Sequence, residues 1–312
     1  MNDDCPGKKG PAASVPPWAK KTVSLKDLHL TKSVLRNGRL ASVCEEARCP
    51  NITECFSKPC ATFLILGNVC TRSCGFCSVS KGSPRPPDEG EGITVARAAL
   101  SLGLKHIVIT SVSRDDLPDH GAGAFARVIR EVRKELPGST IEVLVPDFSG
   151  RRELIEMVLA ELPDVFNHNV ETVPRLYGAI RPQASLETSL GVLRTARKFS
   201  RDLVIKSGFM VGLGEEEEEI ALLLSDLSRS GCDVITMGQY LQPTKSNVPV
   251  ERYWNPSDFE RFSDLAKNIG IRYVVSGPLV RSSYRAKETL EEIRRDREGK
   301  SSLAGGQDSG AK

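Results

Sequence analysis

From about residue 60 onward, short apolar, β-branched runs alternate with stretches patterned for helices, and this rhythm narrows the fold more than any other feature of the chain. The strand-like runs fall at 61–66, 106–110, 141–145, 165–170, 203–207, 234–237 and 273–275. Helical stretches at 93–103, 122–136, 150–162, 185–199, 216–230 and 256–269 separate them, several ending at Gly or Pro. Such alternation means repeated βαβ units and a parallel sheet covered by helices. About seven strands, with no glycine-rich dinucleotide fingerprint after the first, predict an α/β fold: a partial TIM-type (βα)6-like barrel. In such barrels chemistry collects at the C-terminal ends of the strands.

The 312 residues suffice for one large core or two modest ones, and no low-complexity linker divides the chain. Residues 1–20 and 297–312, polar and rich in Gly, Ser, Pro and Lys, read as flexible tails. A formal net charge of +3 argues for neither nucleic acid nor membrane as a partner. No apolar run reaches the roughly 18 residues of a membrane span, and the N-terminus lacks the apolar stretch of a secretory signal. Nine cysteines then point to metal or redox chemistry rather than a disulfide scaffold, with the cytoplasm as the default compartment.

The first cysteine constellation is Cys70-Thr71-Arg72-Ser73-Cys74-Gly75-Phe76-Cys77, directly after the first barrel strand. Three thiolates on one loop can hold three irons of a 4Fe–4S cube and leave the fourth open to an exchangeable ligand. Zinc is the alternative, but structural zinc takes four closed ligands, and no second half-site lies nearby. The C-x3-C-x2-C spacing, with an aromatic before the last Cys, resembles the radical S-adenosylmethionine superfamily. That resemblance implies an open iron that chelates S-adenosylmethionine. It also implies cleavage of this cofactor to methionine and a 5′-deoxyadenosyl radical.

A second triplet, Cys44, Cys49 and Cys55, precedes the first, with fifteen positions from Cys55 to Cys70. Alone, it could be three unrelated buried thiols. Together and in this order, the two triplets resemble the lipoyl synthase family. The likeness runs from about residue 25 to 287, through 61–67, 110–117, 167–172, 206–215, 240–244 and 277–286. It implies an auxiliary 4Fe–4S cluster held by Cys44, Cys49 and Cys55, with Ser283 of the Arg281-Ser282-Ser283-Tyr284 motif as a labile fourth ligand. On this reading 21–60 is an N-terminal extension carrying the auxiliary cysteines. Residues 61–276 are the barrel, and 277–296 a closing segment.

The implied activity is that of a sulfurtransferase in lipoate biosynthesis. Two sulfur atoms enter the sixth and eighth carbons of a protein-bound octanoyl-lysine, each capturing a carbon radical, and the auxiliary cluster is consumed. Implied partners are octanoylated lipoyl-domain proteins (2-oxoacid dehydrogenase E2 subunits and the glycine-cleavage H protein), an electron donor such as ferredoxin or flavodoxin, and iron–sulfur carrier proteins. The alternatives are a radical paralogue with the same two clusters and another substrate, and a non-catalytic iron–sulfur carrier.

Polar residues at strand ends complete the expected site. Asn169 and Glu171 alternate with apolar neighbours and so share one face, where a buried carboxylate needs a partner. By family analogy they meet the cofactor's ribose and methionine parts. Thr110 and Ser111 end the second strand and are expected to hold the methionine moiety. Lys206, read as ending another strand, and Arg181 are candidates for the cofactor carboxylate, with a simple ion pair as the alternative for Lys206. His168 reads as a satisfied hydrogen-bonding residue. The run Glu215 to Glu219 reads as a helix N-terminus, and Cys5, Cys60 and Cys232 as incidental or packing residues. Ser113, His120, Ser246 and Asn247 depart from the residues common in the family, all in loops near the expected site.

Overall fold

The computed structural model describes residues 15–20, 28–57 and 61–304. Cys5 and Cys60 lie outside the described residues, as do 1–14 and 305–312 of the expected tails. Seven strands lie side by side in chain order, each parallel to the next: β1 (Thr62–Ile65), β2 (His106–Ser111), β3 (Thr140–Leu144), β4 (Val165–Asn167), β5 (Val204–Val211), β6 (Val234–Gln239) and β7 (Tyr273–Ser276). Helices α1 (Glu91–Ser101), α2 (Ala122–Glu135), α3 (Arg152–Leu159), α4 (Leu186–Phe199), α5 (Glu217–Arg229) and α6 (Pro256–Asn268) connect them, and α7 (Ala286–Ala304) follows β7. The result is six βα units plus a seventh strand. Among the described residues β7 does not pair back to β1, so the barrel is open. A two-residue strand, Ala41–Ser42, lies antiparallel on the free edge of β1.

Burial on both faces explains why the strands read as apolar runs: every residue of β1 and β6 is buried. Phe63, Ile65, Ile107, Ile109, Ile141, Val143, Phe166, Ile205 and Ile235 are all fully buried in the main core, each stabilising by about 1.5–3 kcal/mol. Helix starts follow their sequence signals. Asn255 and Asp258 form a capping box on α6, with Pro256 as its first residue. Glu216 and Glu219 cap α5 in the same way. Glu215 instead turns inward. Its carboxylate accepts the backbone N–H groups of Gly212 (2.5 Å) and Leu213 (2.9 Å) and the indole N–H of Trp254 (2.8 Å).

The barrel interior is layered. At its base, Val165, Val204, Val234 and Tyr273, the first residues of β4 to β7, pack on Leu290 and Ile293 of α7. Three polar contacts anchor the helix: Arg294 to Asp164 (2.6 Å), Tyr273 Oη to Asp296 (2.8 Å) and Arg297 to the Asp202 carbonyl (2.5 Å). Residues 297–304, expected as flexible tail, are therefore the end of a helix whose earlier turns have apolar surface to bury. At the other end of the chain, Trp18 packs edge-on against Tyr253 at 6.2 Å and Ala19 is buried, so the last residues of the expected N-terminal tail are docked.

A charged layer lies in the same interior. Lys206 Nζ donates to Glu142 Oε1 at 2.9 Å, Asn167 Nδ2 donates to the same oxygen at 3.0 Å, and His106 Nε2 is 3.6 Å from Oε2. Burial alone would raise the Glu142 carboxyl, but Lys206 and His106 outweigh it and hold the group at about 2. Lys206 is the third residue of an eight-residue strand, not its end, and its ammonium is committed to Glu142. Removing one partner of such a pair strands a buried charge, so Lys206→Met should cost about 3–5 kcal/mol in urea unfolding, and Glu142→Gln/Lys206→Met should recover most of it. Because the folded carboxyl sits near 2 rather than its usual 4.5, its contribution is present above pH 4.5 and lost as pH falls toward 2. The double variant should lack that acid-dependent component.

Candidate active site

A cavity of about 470 Å³ opens at the C-terminal ends of the strands. Cys44, Cys49, Cys70, Cys74, Cys77, Thr110, Ser111, Asn169, Glu171, Arg181 and Ser283 line it. Lys206 does not. Cys55 lies off the lining but close enough to act electrostatically on Cys44, as Cys49 does.

The first triplet is held from several sides. Val69–Cys70 pairs with Ser80–Lys81 in a short parallel ribbon that closes the loop. Gly75 N–H donates to the Ile180 carbonyl at 2.8 Å, and Ser73 donates to Gln183 Oε1 through its backbone at 2.9 Å. Asn247 Nδ2 donates to the carbonyls of Gly75 (3.1 Å) and Cys77 (2.9 Å), so this departure from the family pattern staples the cysteine loop. Ser113 acts through its backbone, with its N–H 3.3 Å from Cys70 Sγ and its carbonyl accepting from Thr71. That use does not depend on the side chain at 113. His120 has φ +48°, in the left-handed region that glycine adopts without strain.

The second triplet meets the C-terminal segment. Thr62 Oγ1 donates to Ser283 Oγ at 3.0 Å, and Thr62 also lies beside Cys44, hydrogen-bonding it from the backbone. Asn51, between Cys49 and Cys55, donates to the Leu279 carbonyl at 2.6 Å. Asn169 Nδ2 donates to Ser282 Oγ at 2.5 Å. Segment 277–284 thus links Asn169 on one side of the cavity to Asn51 and Thr62 on the other. Gly238 permits this path, because a Cβ there would collide with the Val280 carbonyl.

Burial, reinforced by Cys49 and Cys55, pushes the Cys44 thiol up to about 12. Burial also pushes Cys77 up to about 11 and raises Cys74, with the neighbouring thiols adding to the shift. Crowded thiols in a low dielectric are poor thiolates until a cation compensates them. Among the described residues, Ser111 Oγ, His168 Nε2 and Asn169 Oδ1 are buried with no hydrogen-bond partner, and all three residues line the cavity. Unpartnered buried polar atoms are rare in folded proteins, and their convergence here fits a polar ligand such as S-adenosylmethionine. Arg181 lines the cavity but donates to the Asn169 and Val170 carbonyls at 3.2 Å and lies over Tyr177. Thr110 Oγ1 donates to the Leu144 carbonyl at 2.9 Å.

His168 was only half read from sequence. Nδ1 is 2.8 Å from the Val145 carbonyl, which fixes the proton there, while Nε2 is left with a lone pair. Burial and the Arg181 charge lower its pKa to about 4, so the ring is neutral at physiological pH. Burial raises the Glu171 carboxyl despite Arg181 and Asn169. β4 ends at Asn167, and the N–H groups of both Val170 and Glu171 donate to the Gly208 carbonyl. This bulge-like step breaks strict alternation and lets His168, Asn169 and Glu171 all reach the cavity.

An open parallel barrel with a three-cysteine loop at its mouth defines a radical S-adenosylmethionine enzyme, and residues 64–227 match the Radical SAM superfamily model. The fold is similar to Streptococcus suis SuiB bound to precursor peptide SuiA, with a TM-score of 0.54, 10% identity, and coverage of 69% of this chain and 48% of that one. The chain is 54% identical over 264 residues to the lipoyl synthase of Rubrobacter xylanophilus, covering 85% of this chain and 82% of that protein. It is 49% identical to that of Chlorobaculum tepidum, covering 92% and 98%. The chain belongs to the lipoyl synthase family. Its family carries a 4Fe–4S cluster and uses S-adenosylmethionine.

The unpartnered hydroxyl of Ser111 gives a clean test. Ser111→Ala should leave urea unfolding of the metal-free protein within about 0.5 kcal/mol of wild type. Loss of one hydrogen bond should weaken S-adenosylmethionine binding to the cluster-loaded protein about tenfold by equilibrium dialysis.

Proposed function

We propose that the chain performs the reaction of its family, inserting two sulfur atoms at the sixth and eighth carbons of an octanoyl chain. That chain is held as an amide on a lysine of a lipoyl-domain protein. One observation carries the reading: all three cysteines of the first triplet and two of the second, Cys44 and Cys49, line a single cavity, with Ser283, some 220 positions from Thr62 in sequence, hydrogen-bonded to Thr62 beside Cys44.

Cys70, Cys74 and Cys77 would hold the cluster that engages S-adenosylmethionine; Cys44, Cys49, Cys55 and Ser283 would hold the auxiliary one. When bound, the first cluster supplies the electron that cleaves S-adenosylmethionine and so starts hydrogen abstraction from an unactivated C–H bond, a task beyond acid–base side chains. The auxiliary cluster is a substrate, the source of sulfur. Ser111, His168, Asn169 and Glu171 would bind and orient the cofactor, with His168 Nε2 as a hydrogen-bond acceptor. Leu64, Val112, Leu144, Phe209, Met210 and Val280 give the cavity an apolar lining that suits an alkyl chain and keeps water out. The hydroxyl of Thr62 would draw charge from Ser283 and favour a corner that opens when sulfur leaves.

The 2-oxoacid dehydrogenase E2 subunits and the glycine-cleavage H protein are the proposed carriers, with ferredoxin or flavodoxin as reductant and iron–sulfur carriers to rebuild the auxiliary cluster. No helix among the described residues is long and apolar enough to cross a membrane; we place the enzyme in the cytoplasm.

The test is anaerobic reconstitution with iron and sulfide, then reaction with reductant, S-adenosylmethionine and an octanoyl-lysine lipoyl-domain peptide. Two cube-type clusters require about eight irons per chain. Wild type should form 5′-deoxyadenosine and add two sulfurs to the peptide by mass. Ser283→Ala should keep deoxyadenosine formation and lose sulfur insertion, whereas Cys74→Ala should lose both. Deoxyadenosine without sulfur insertion by the wild type would favour a paralogue acting on another substrate, and about four irons or fewer would sink the two-cluster reading.

A further inference from the structure

Arg72 lies between two cysteines of the first triplet, and its side chain serves neither thiol directly. Its Nε and Nη2 donate to Asp115 at 2.9 and 2.7 Å, and its Nη1 and Nη2 donate to Asp147 at 2.6 and 2.8 Å. Both edges of the guanidinium are therefore paired bidentately, the strongest geometry open to such a group. Arg72 is 8% exposed and Asp147 2%, so neither is a solvated surface partner.

The clamp reaches Cys70 through the backbone. Thr71 donates its hydroxyl to Asp115 at 2.8 Å and its N–H to the Ser113 carbonyl at 3.2 Å. The N–H groups of Ser113 and Arg72 then lie 3.3 and 3.4 Å from Cys70 Sγ. Asp147 is itself fixed by the Ser149 N–H at 2.9 Å. Loops after β2 and β3 are thus tied to the cysteine loop by charge and hydrogen bonds that need no metal.

One guanidinium would be neutralised by one carboxylate. With two carboxylates the clamp itself sums to one negative charge, set beside a loop on which Arg181 and Glu171 act in opposite senses at Cys74. Arg72 keeps both aspartates ionised: burial pushes each upward, but Asp147 is held at about 2 and Asp115 below its usual range. Surplus negative charge near an iron–sulfur cluster disfavours the reduced form and makes it a stronger reductant, while N–H···S bonds act in the opposite direction.

We propose that Arg72, Asp115 and Asp147 form a clamp of positioning residues. It presets the ligating arrangement of Cys70 before iron arrives, and its second carboxylate keeps the cluster's reduction potential low. The proposal rests on Cys70, Cys74 and Cys77 as the cluster ligands.

The experiment uses full-length chain reconstituted anaerobically. The readouts are iron per chain and the midpoint potential of the EPR signal that changes on adding S-adenosylmethionine. Asp147→Asn, isosteric and able to accept from Arg72, should keep its iron and move the potential positive. Asp115→Asn should do the same and carries the test if the Asp147 variant fails to fold. Arg72→Lys keeps the charge and loses the fork, so cluster affinity should fall about tenfold or more, read as iron lost from that site. Unchanged potentials in both Asn variants would overturn the electrostatic role. Full iron in Arg72→Lys would overturn the presetting role. A chain with Cys70, Cys74 and Cys77 all changed to Ala that retains its full iron would instead overturn the ligand assignment on which the proposal rests.

Discussion

Among the described residues the sheet does not close, and much of the site depends on that open edge. A parallel barrel missing its last pairing leaves unpaired backbone groups along β1 and a gap between β1 and β7. Ala41–Ser42 covers the β1 edge, and that pairing sets Cys44, two residues later, beside Thr62. Segment 277–284 crosses from β7 toward β1 and brings Ser283 to the same Thr62. Cys44 and Ser283 reach the same Thr62 because the open edge leaves room for both segments, which a closed barrel would not.

Inside, the layers divide the work. Apolar packing at the base and the Glu142–Lys206 pair fill the interior, so the barrel is solid below its mouth. Polar atoms left without partners are then informative by position. His168, Ser111 and Asn169 line the cavity and fit a ligand. Asn167 lies off the cavity lining and donates to Glu142 through Nδ2, leaving only its Oδ1 unpartnered.

How far the sequence could be read follows from the range of each interaction. Strand and helix rhythm is local, and all seven parallel strands overlap the runs it placed, although β4 stops at Asn167 rather than 170 and β5 continues to Val211 rather than 207. The triplets are local too. Lys206 shows the limit: period-two parity assigns a face, not a height, and its partner Glu142 comes from a different strand. For Asn169 and Glu171, parity pointed to the cavity although the strand ends before them and a bulge-like step intervenes. The same step exposes His168, which parity alone would have turned away. Ser283 is beyond spacing arguments altogether, since its contact with Thr62 spans 221 positions and only family likeness could suggest it. Asn247 stood out as a departure, yet its hold on Gly75 and Cys77 required coordinates.

The helix at the barrel's base has a practical corollary for handling the protein. Ser283 stands three positions before α7, whose Leu290 and Ile293 are seated against the starts of four strands. Base and mouth are therefore joined by the short stretch of chain from Ser283 to Leu290, like a drawstring. Trimming the chain within α7, or fusing a bulky partner close behind it, tugs on the lip of the cavity even though the alteration is made at its opposite pole. Tags belong at the other terminus.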